Sequence, residues 1–103
     1  MQTMFFPDWV QQVNYSEGDM PKPHILAEDE KVKTIMAGLE AGQSIPNHPE
    51  AESVYYFLTG KGVMQVDEET YPVEAGSTLI VPDGAVRGLR ADTRLAFLAV
   101  RIA

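Results

Sequence analysis

The stretch Gly76-Ser77-Thr78-Leu79-Ile80-Val81-Pro82-Asp83-Gly84 sets a whole strand between two turn signals. Thr78 to Val81 is an aliphatic, partly β-branched run too short for a helix, and such a run bounded by Gly and Pro reads as a β-strand. Pro82, which has no N–H to give a ladder, fits at a strand terminus. The flanking glycines permit the positive φ of a tight corner.

The same alternation of short apolar runs and turn signals extends in both directions from this stretch. Candidate strands are Lys33 to Leu39, Ser53 to Leu58, Val63 to Val66, Thr70 to Val73, Val86 to Arg90 and Leu95 to Ile102. Between them stand Ala41-Gly42, Gly60-Lys61-Gly62, Asp67-Glu68-Glu69, Ala75-Gly76, Pro82-Asp83-Gly84 and Ala91-Asp92-Thr93, all short enough for hairpins or tight corners. No run from Lys31 onward reaches helical length with a 3.6-residue period. The fold class is therefore all-β, a small antiparallel β-barrel or jelly roll. Val54 to Leu58 and Leu95 to Val100 are apolar on both alternating faces, so both faces should be covered, and a second subunit could supply one cover. A homodimer is expected on that ground.

The first thirty residues read differently. Phe5 to Val13 is either the start of a short helix with Asp8 as its cap or an extended arm. Ser16-Glu17-Gly18-Asp19, followed by Pro21 and Pro23, reads as an irregular connection. The expected division is an arm over 1–30, packing on the barrel or on a partner subunit, and a barrel over 31–103, one domain overall.

Composition narrows the class of function. The chain has 103 residues, 45% hydrophobic and 22% charged, values ordinary for one globular domain. Cysteine is absent, which excludes disulfides, zinc fingers and thiolate nucleophiles. No basic start leads into an apolar run, and no stretch approaches the roughly 20 apolar residues that span a bilayer, so the expected setting is cytoplasmic, with no membrane partner. Fifteen acidic against eight basic residues give a formal charge of −7, which repels phosphate backbones and argues against nucleic acid. No glycine-rich phosphate loop, Ser-His-Asp order or helix with paired histidines is present.

Two segments carry a family likeness. Gly42-Gln43-Ser44-Ile45-Pro46-Asn47-His48, continuing through Tyr55-Tyr56-Phe57-Leu58-Thr59-Gly60-Lys61-Gly62, resembles the first conserved motif of the cupin superfamily, and Gly76 to Gly84 resembles the second. The resemblance implies a barrel in which two histidines, a glutamate and a later histidine converge on one divalent metal. Counting forward from Gly42 puts His48 at the first histidine position and Glu50 at the second. Counting back from Gly60 puts the glutamate position on Ser53, with Glu52 beside it, and moves His48 toward the second histidine. The spacing from Pro82 and Gly84 sets Arg87 where the later histidine stands, and an arginine cannot ligate a metal at ordinary pH. The implied metal site is eroded.

Candidate ligand-binding residues are His48, Arg87, Glu52, Tyr55 and Phe57. A guanidinium turned into the barrel at Arg87 needs an anionic partner. Glu52 or Glu50 would supply one as an internal bridge; otherwise the arginine would clamp an anionic ligand in bidentate fashion. Tyr55 and Phe57 belong to core or interface, with one face toward the pocket. His48, Glu50 and Glu52 together are the candidate metal ligands, an N,O set suited to one divalent transition metal. His24 reads as an ordinary strand or arm residue. The resemblance leaves three functional readings open: a barrel that binds a small molecule, anionic if Arg87 clamps it, with no cofactor; a divalent-metal enzyme of oxygenase or isomerase type; and a non-catalytic dimeric scaffold.

Overall fold

In the computed structural model, which describes residues 2–18 and 21–102, one short 3-10 turn is followed by nine strands. They are β1 (His24–Glu28), β2 (Val32–Leu39), β3 (Ser44–Pro49), β4 (Glu52–Thr59), β5 (Lys61–Val66), β6 (Glu69–Glu74), β7 (Thr78–Val81), β8 (Val86–Ala91) and β9 (Leu95–Ile102). A five-stranded sheet runs β1-β2-β9-β4-β7 and a four-stranded sheet β3-β8-β5-β6, with every pairing antiparallel. This is the expected all-β jelly roll.

Strand alternation decides which side chains meet between the sheets. Ile35, Ala37 and Leu39 of β2, Tyr55 and Phe57 of β4, and Leu95, Phe97 and Ala99 of β9 face Met64 of β5, Val73 of β6, and Leu89 and Ala91 of β8 in one buried cluster. Phe97 sits between Tyr55 and Phe57, with ring centroids at 5.7 and 5.8 Å and tilted planes, the favourable arrangement for aromatic pairs.

Two strands lie outside the runs that the sequence marks. Ser44–Pro49 reads as a loop because it holds Pro46 and Pro49, yet β3 is an edge strand and needs to pair on one side only. Its register with β8 breaks between Ile45 and His48, at the Pro46-Asn47 step. β1 pairs with β2, so the sheet begins before residue 31. The N-terminal segment holds no more helix than the turn Trp9–Gln11, whose first free N–H groups are served by Asp8, the expected cap, at 3.0 Å to Val10. Of the irregular connection, Ser16 and Gly18 are tied down by Gln43, whose Nε2 donates to both carbonyls at 2.7 Å, and Asp19 lies outside the described residues.

The outer face of the five-stranded sheet is apolar. Met36, Gly38 and Ala96 are buried there, and Val13 and Tyr15 lie so close over Gly38 that a Cβ would come within 2.7 Å of both side chains. Further across, register places Val100, Val54 and Ile80 in one row and Leu98, Tyr56 and Thr78 in the next. This side is open: Ile80 is 72% exposed and Tyr56 42%.

The corner between β4 and β5 is a single residue, Gly60, at φ +85°. A Cβ there would run into the Arg94 carbonyl oxygen, so both the dihedral and the space require glycine. Gly60→Ala is expected to destabilise the fold by about 3 kcal/mol, the combined scale of a left-handed non-glycine residue and a forced close contact. Urea unfolding measures it; a loss below about 1 kcal/mol, less than either effect alone, would show that the corner relaxes.

Candidate functional site

The β3–β8 register sets His48 opposite Arg87, so both point to the interior, as the inward parity of Leu89 requires. Between them and the core lies a cavity of 180 Å³. Ile35, Ala37, Met64, Leu89 and Phe97 form its apolar wall, and His48, Tyr55, Arg87 and Arg101 bring polar atoms to it.

Arg87 is 1% exposed, and its side chain is among the largest wholly buried ones. A guanidinium has five N–H donors, and every one is taken by protein. Nε donates to the Ala85 carbonyl at 3.0 Å, Nη1 to the Ala51 carbonyl at 2.9 Å and the Ser53 hydroxyl at 3.0 Å, and Nη2 to the carbonyls of Glu50 at 3.0 Å and Pro82 at 2.9 Å. The Tyr55 hydroxyl stands a further 3.5 Å from Nη1. Ser53, itself buried, donates its own hydroxyl hydrogen bond to the Ala51 carbonyl at 2.8 Å. The bridge to a Glu50 or Glu52 carboxylate that a buried arginine suggests is therefore not made. Glu50 serves Arg87 with its backbone oxygen, and Glu52 is exposed because it precedes inward-facing Ser53 and so points to the opposite face of β4.

Of the ligand-binding candidates, the cavity gathers His48, Tyr55 and Arg87 and leaves out Glu52 and Phe57. Phe57 does face inward, but it lies deeper, 0% exposed against Phe97. The metal candidates do not converge: among the described residues no three His, Asp or Glu side chains come together. The His48 ring is held by its Nδ1 at 2.9 Å from the Pro46 carbonyl. The Glu50 carboxylate accepts from the Ala51 N–H at 3.0 Å and has Arg101 Nη1 3.6 Å away. The Ala51 bond, followed by the charges of Arg101, His48 and Arg87, holds this carboxyl below its ordinary range against partial burial. One imidazole beside a single carboxylate that already accepts from a backbone N–H and faces an arginine does not fit a divalent ion of the family's kind.

The residue that sequence reading passed over is Arg101. It continues the inward series Leu95, Phe97, Ala99 on β9 and reaches the cavity from the strand opposite Arg87. The signal was present, a cation at an inward position near the end of an otherwise apolar strand.

A family profile described as cupin domain matches residues 34–101. The chain belongs to the cupin family. No curated protein matches the sequence. Among solved structures, an RmlC-like cupin from Desulfovibrio desulfuricans is 26% identical, covering 98% of this chain and 97% of its own, with a TM-score of 0.84. The TT1209 protein of Thermus thermophilus is 24% identical over 96% and 97%, TM-score 0.86, and a conserved protein of unknown function from Streptococcus pyogenes is 24% identical over 99% and 90%, TM-score 0.84. The last two likenesses concern the fold alone. Within this cupin barrel, Arg87 stands where the resemblance implies a metal-binding histidine, and its bonds join the start of β4 in one sheet to the β7–β8 turn and β8 itself.

Removing that joint should unsettle the barrel. Arg87→Met removes five hydrogen bonds from four carbonyl oxygens and a hydroxyl and is expected to cost about 3–5 kcal/mol in urea unfolding. Arg87→Lys, with no planar fork to serve acceptors on several sides, should recover only part of the loss. A stability change under about 1 kcal/mol in Arg87→Met, no more than one ordinary hydrogen bond, would overturn the structural role and return Arg87 to the binding candidates.

Proposed function

We propose that the protein is a small-molecule-binding cupin whose ligand occupies the barrel cavity. The observation that supports this reading is the cavity itself, 180 Å³ with apolar walls and polar atoms supplied by His48, Tyr55 and Arg101. Binding pockets have this make-up: apolar area supplies affinity, and a few placed polar groups fix orientation. An apolar cavity of about 150 Å³ accepts a molecule the size of benzene. A divalent-metal enzyme would need donors that the described residues do not bring together, whereas the binding reading needs none.

Benzamide, neutral and of suitable size, is the probe. Saturable heat release in titration calorimetry is expected, together with a concentration-dependent rise in Tm. Ala37→Leu projects extra side chain into the space and should abolish the binding while the fold is retained. Absence of binding in the wild-type chain at millimolar benzamide, or binding unaffected by Ala37→Leu, would count against the cavity as the site.

The dimeric reading has its own support in the two open rows on the outer face, Val54 with Val100 and Ile80, and Tyr56 with Leu98. A second copy of the chain is the partner that this reading assigns to them. Light scattering at micromolar concentration should give twice the chain mass for the wild type and the single mass for Ile80→Glu; a monomeric wild type would sink the idea.

A further inference from the structure

The cavity meets two arginines that differ in one decisive respect. Arg87 has no donor left over, since carbonyls and hydroxyls occupy all five. Arg101 has donors to spare. Its Nε is buried and has no hydrogen-bond partner, the one buried side-chain nitrogen or oxygen among the described residues in that state. Its contact with Glu50 is the loose 3.6 Å approach of Nη1 to Oε2, well beyond a charge-assisted hydrogen bond. A buried cationic donor with no acceptor is costly inside a barrel, and a ligand that supplies the acceptor relieves that cost.

Resting on the cavity as the binding site, we propose that its ligand is a small monocarboxylate with an apolar body, held at the head by Arg101. The carboxylate approaches the guanidinium from the cavity side, in the planar fork geometry that arginine offers an oxyanion, and draws the buried Nε–H into use. The body lies against Ile35, Ala37, Met64, Leu89 and Phe97. Three features fix the class. The volume limits the body to about the size of one aromatic ring. The apolar wall has no partner for a second charge. Glu50, ionised beside Arg101, repels a second carboxylate, so that short dicarboxylates are rejected. Glu50 also competes: in the ligand-free protein it is the only carboxylate within ion-pair distance of Arg101 among the described residues, and an incoming carboxylate displaces that interaction.

The test compares benzoate with its neutral isostere benzamide by calorimetry at neutral pH, where benzoate is ionised, with succinate as a third probe. The wild-type chain should bind benzoate about tenfold more tightly than benzamide and give no signal with succinate. Arg101→Met should erase the preference, bringing benzoate to the level of benzamide. Glu50→Gln, which keeps the backbone carbonyl that serves Arg87, should tighten benzoate about threefold and leave benzamide unchanged. Equal affinity for benzoate and benzamide in the wild type overturns the assignment of the head group and leaves the cavity reading standing. So does a preference that survives Arg101→Met, or succinate binding as tightly as benzoate. Failure of both aromatic probes overturns the cavity reading together with it. Should Arg101→Met not fold, Glu50→Gln decides alone, and benzoate affinity no tighter than wild type overturns the proposal.

Discussion

The interior of this barrel is organised around one buried cation. Placing a guanidinium in a protein interior is unfavourable by several kcal/mol unless its donors are matched, and here the match is made by main-chain oxygens in place of a counter-ion. Four carbonyls and a serine hydroxyl must be brought to one plane. The acceptors come from residues 50 to 53, at the entry to β4, and from residues 82 to 85, between β7 and β8. Both segments are crossings between the two sheets and Arg87 itself stands on β8, so satisfying it ties β8 of one sheet to the β4 entry and β7 exit of the other and fixes the closure of the jelly roll at that end. Further backbone bonds run alongside, from Gly84 N–H to the Glu50 carbonyl at 2.9 Å and from Ala85 N–H to the Pro82 carbonyl at 3.3 Å.

The consequence reaches the cavity. A side chain that the family resemblance would place at a metal is here consumed by the scaffold, which removes it from ligand chemistry and leaves His48, Tyr55 and Arg101 as the polar atoms a guest can meet. The division of labour between Arg87 and Arg101 follows from their surroundings. Arg87 is met by chain corners, where carbonyls turn inward for want of ladder partners. Arg101 lies near the end of β9, whose backbone groups are engaged with β2 and β4, so its neighbours offer side chains only.

Much of the fold was legible because its signals are local. The Gly76 to Gly84 stretch shows its strand and both corners in nine consecutive letters, and the unbroken apolar run Leu95 to Val100 marks β9 as a strand covered on both faces, though not which face is inward. What stayed hidden depends on pairing. β3 carries two prolines and looks like a loop until its place at a sheet edge is known, and β1 is too short and too close to Pro21 and Pro23 to stand out alone. The site was less legible for the same reason. Glu52 was a reasonable candidate from its nearness to Ser53 in sequence, yet one residue along a strand is the opposite face of the sheet. For an Arg87 turned into the barrel the cost of an unpaired charge called for a carboxylate or an anionic ligand, and no sequence pattern announces that backbone oxygens will serve instead. Arg101 was visible as a break in an apolar strand and became meaningful only once its parity was set beside the cavity in front of it.

The proposed entry of an anion into an acidic protein requires explanation, and distance supplies it. Surface carboxylates more than a Debye length away, about 8–10 Å at moderate salt, are largely screened, so the net charge of −7 acts weakly on a molecule already inside the barrel. Inside, the balance is local. Arg101 attracts through a low-dielectric gap, Arg87 adds a second positive charge whose hydrogen bonds are spent but whose field is not, and Glu50 opposes both from 3.6 Å away from Arg101. Without a guest, Glu50 is the counter-charge of Arg101. Its two oxygens are divided, Oε1 accepting from the Ala51 N–H and Oε2 lying 3.6 Å from Arg101 Nη1. A cation neutralised by one carboxylate without a full set of hydrogen bonds is the condition under which an exchange of one carboxylate for another is easy.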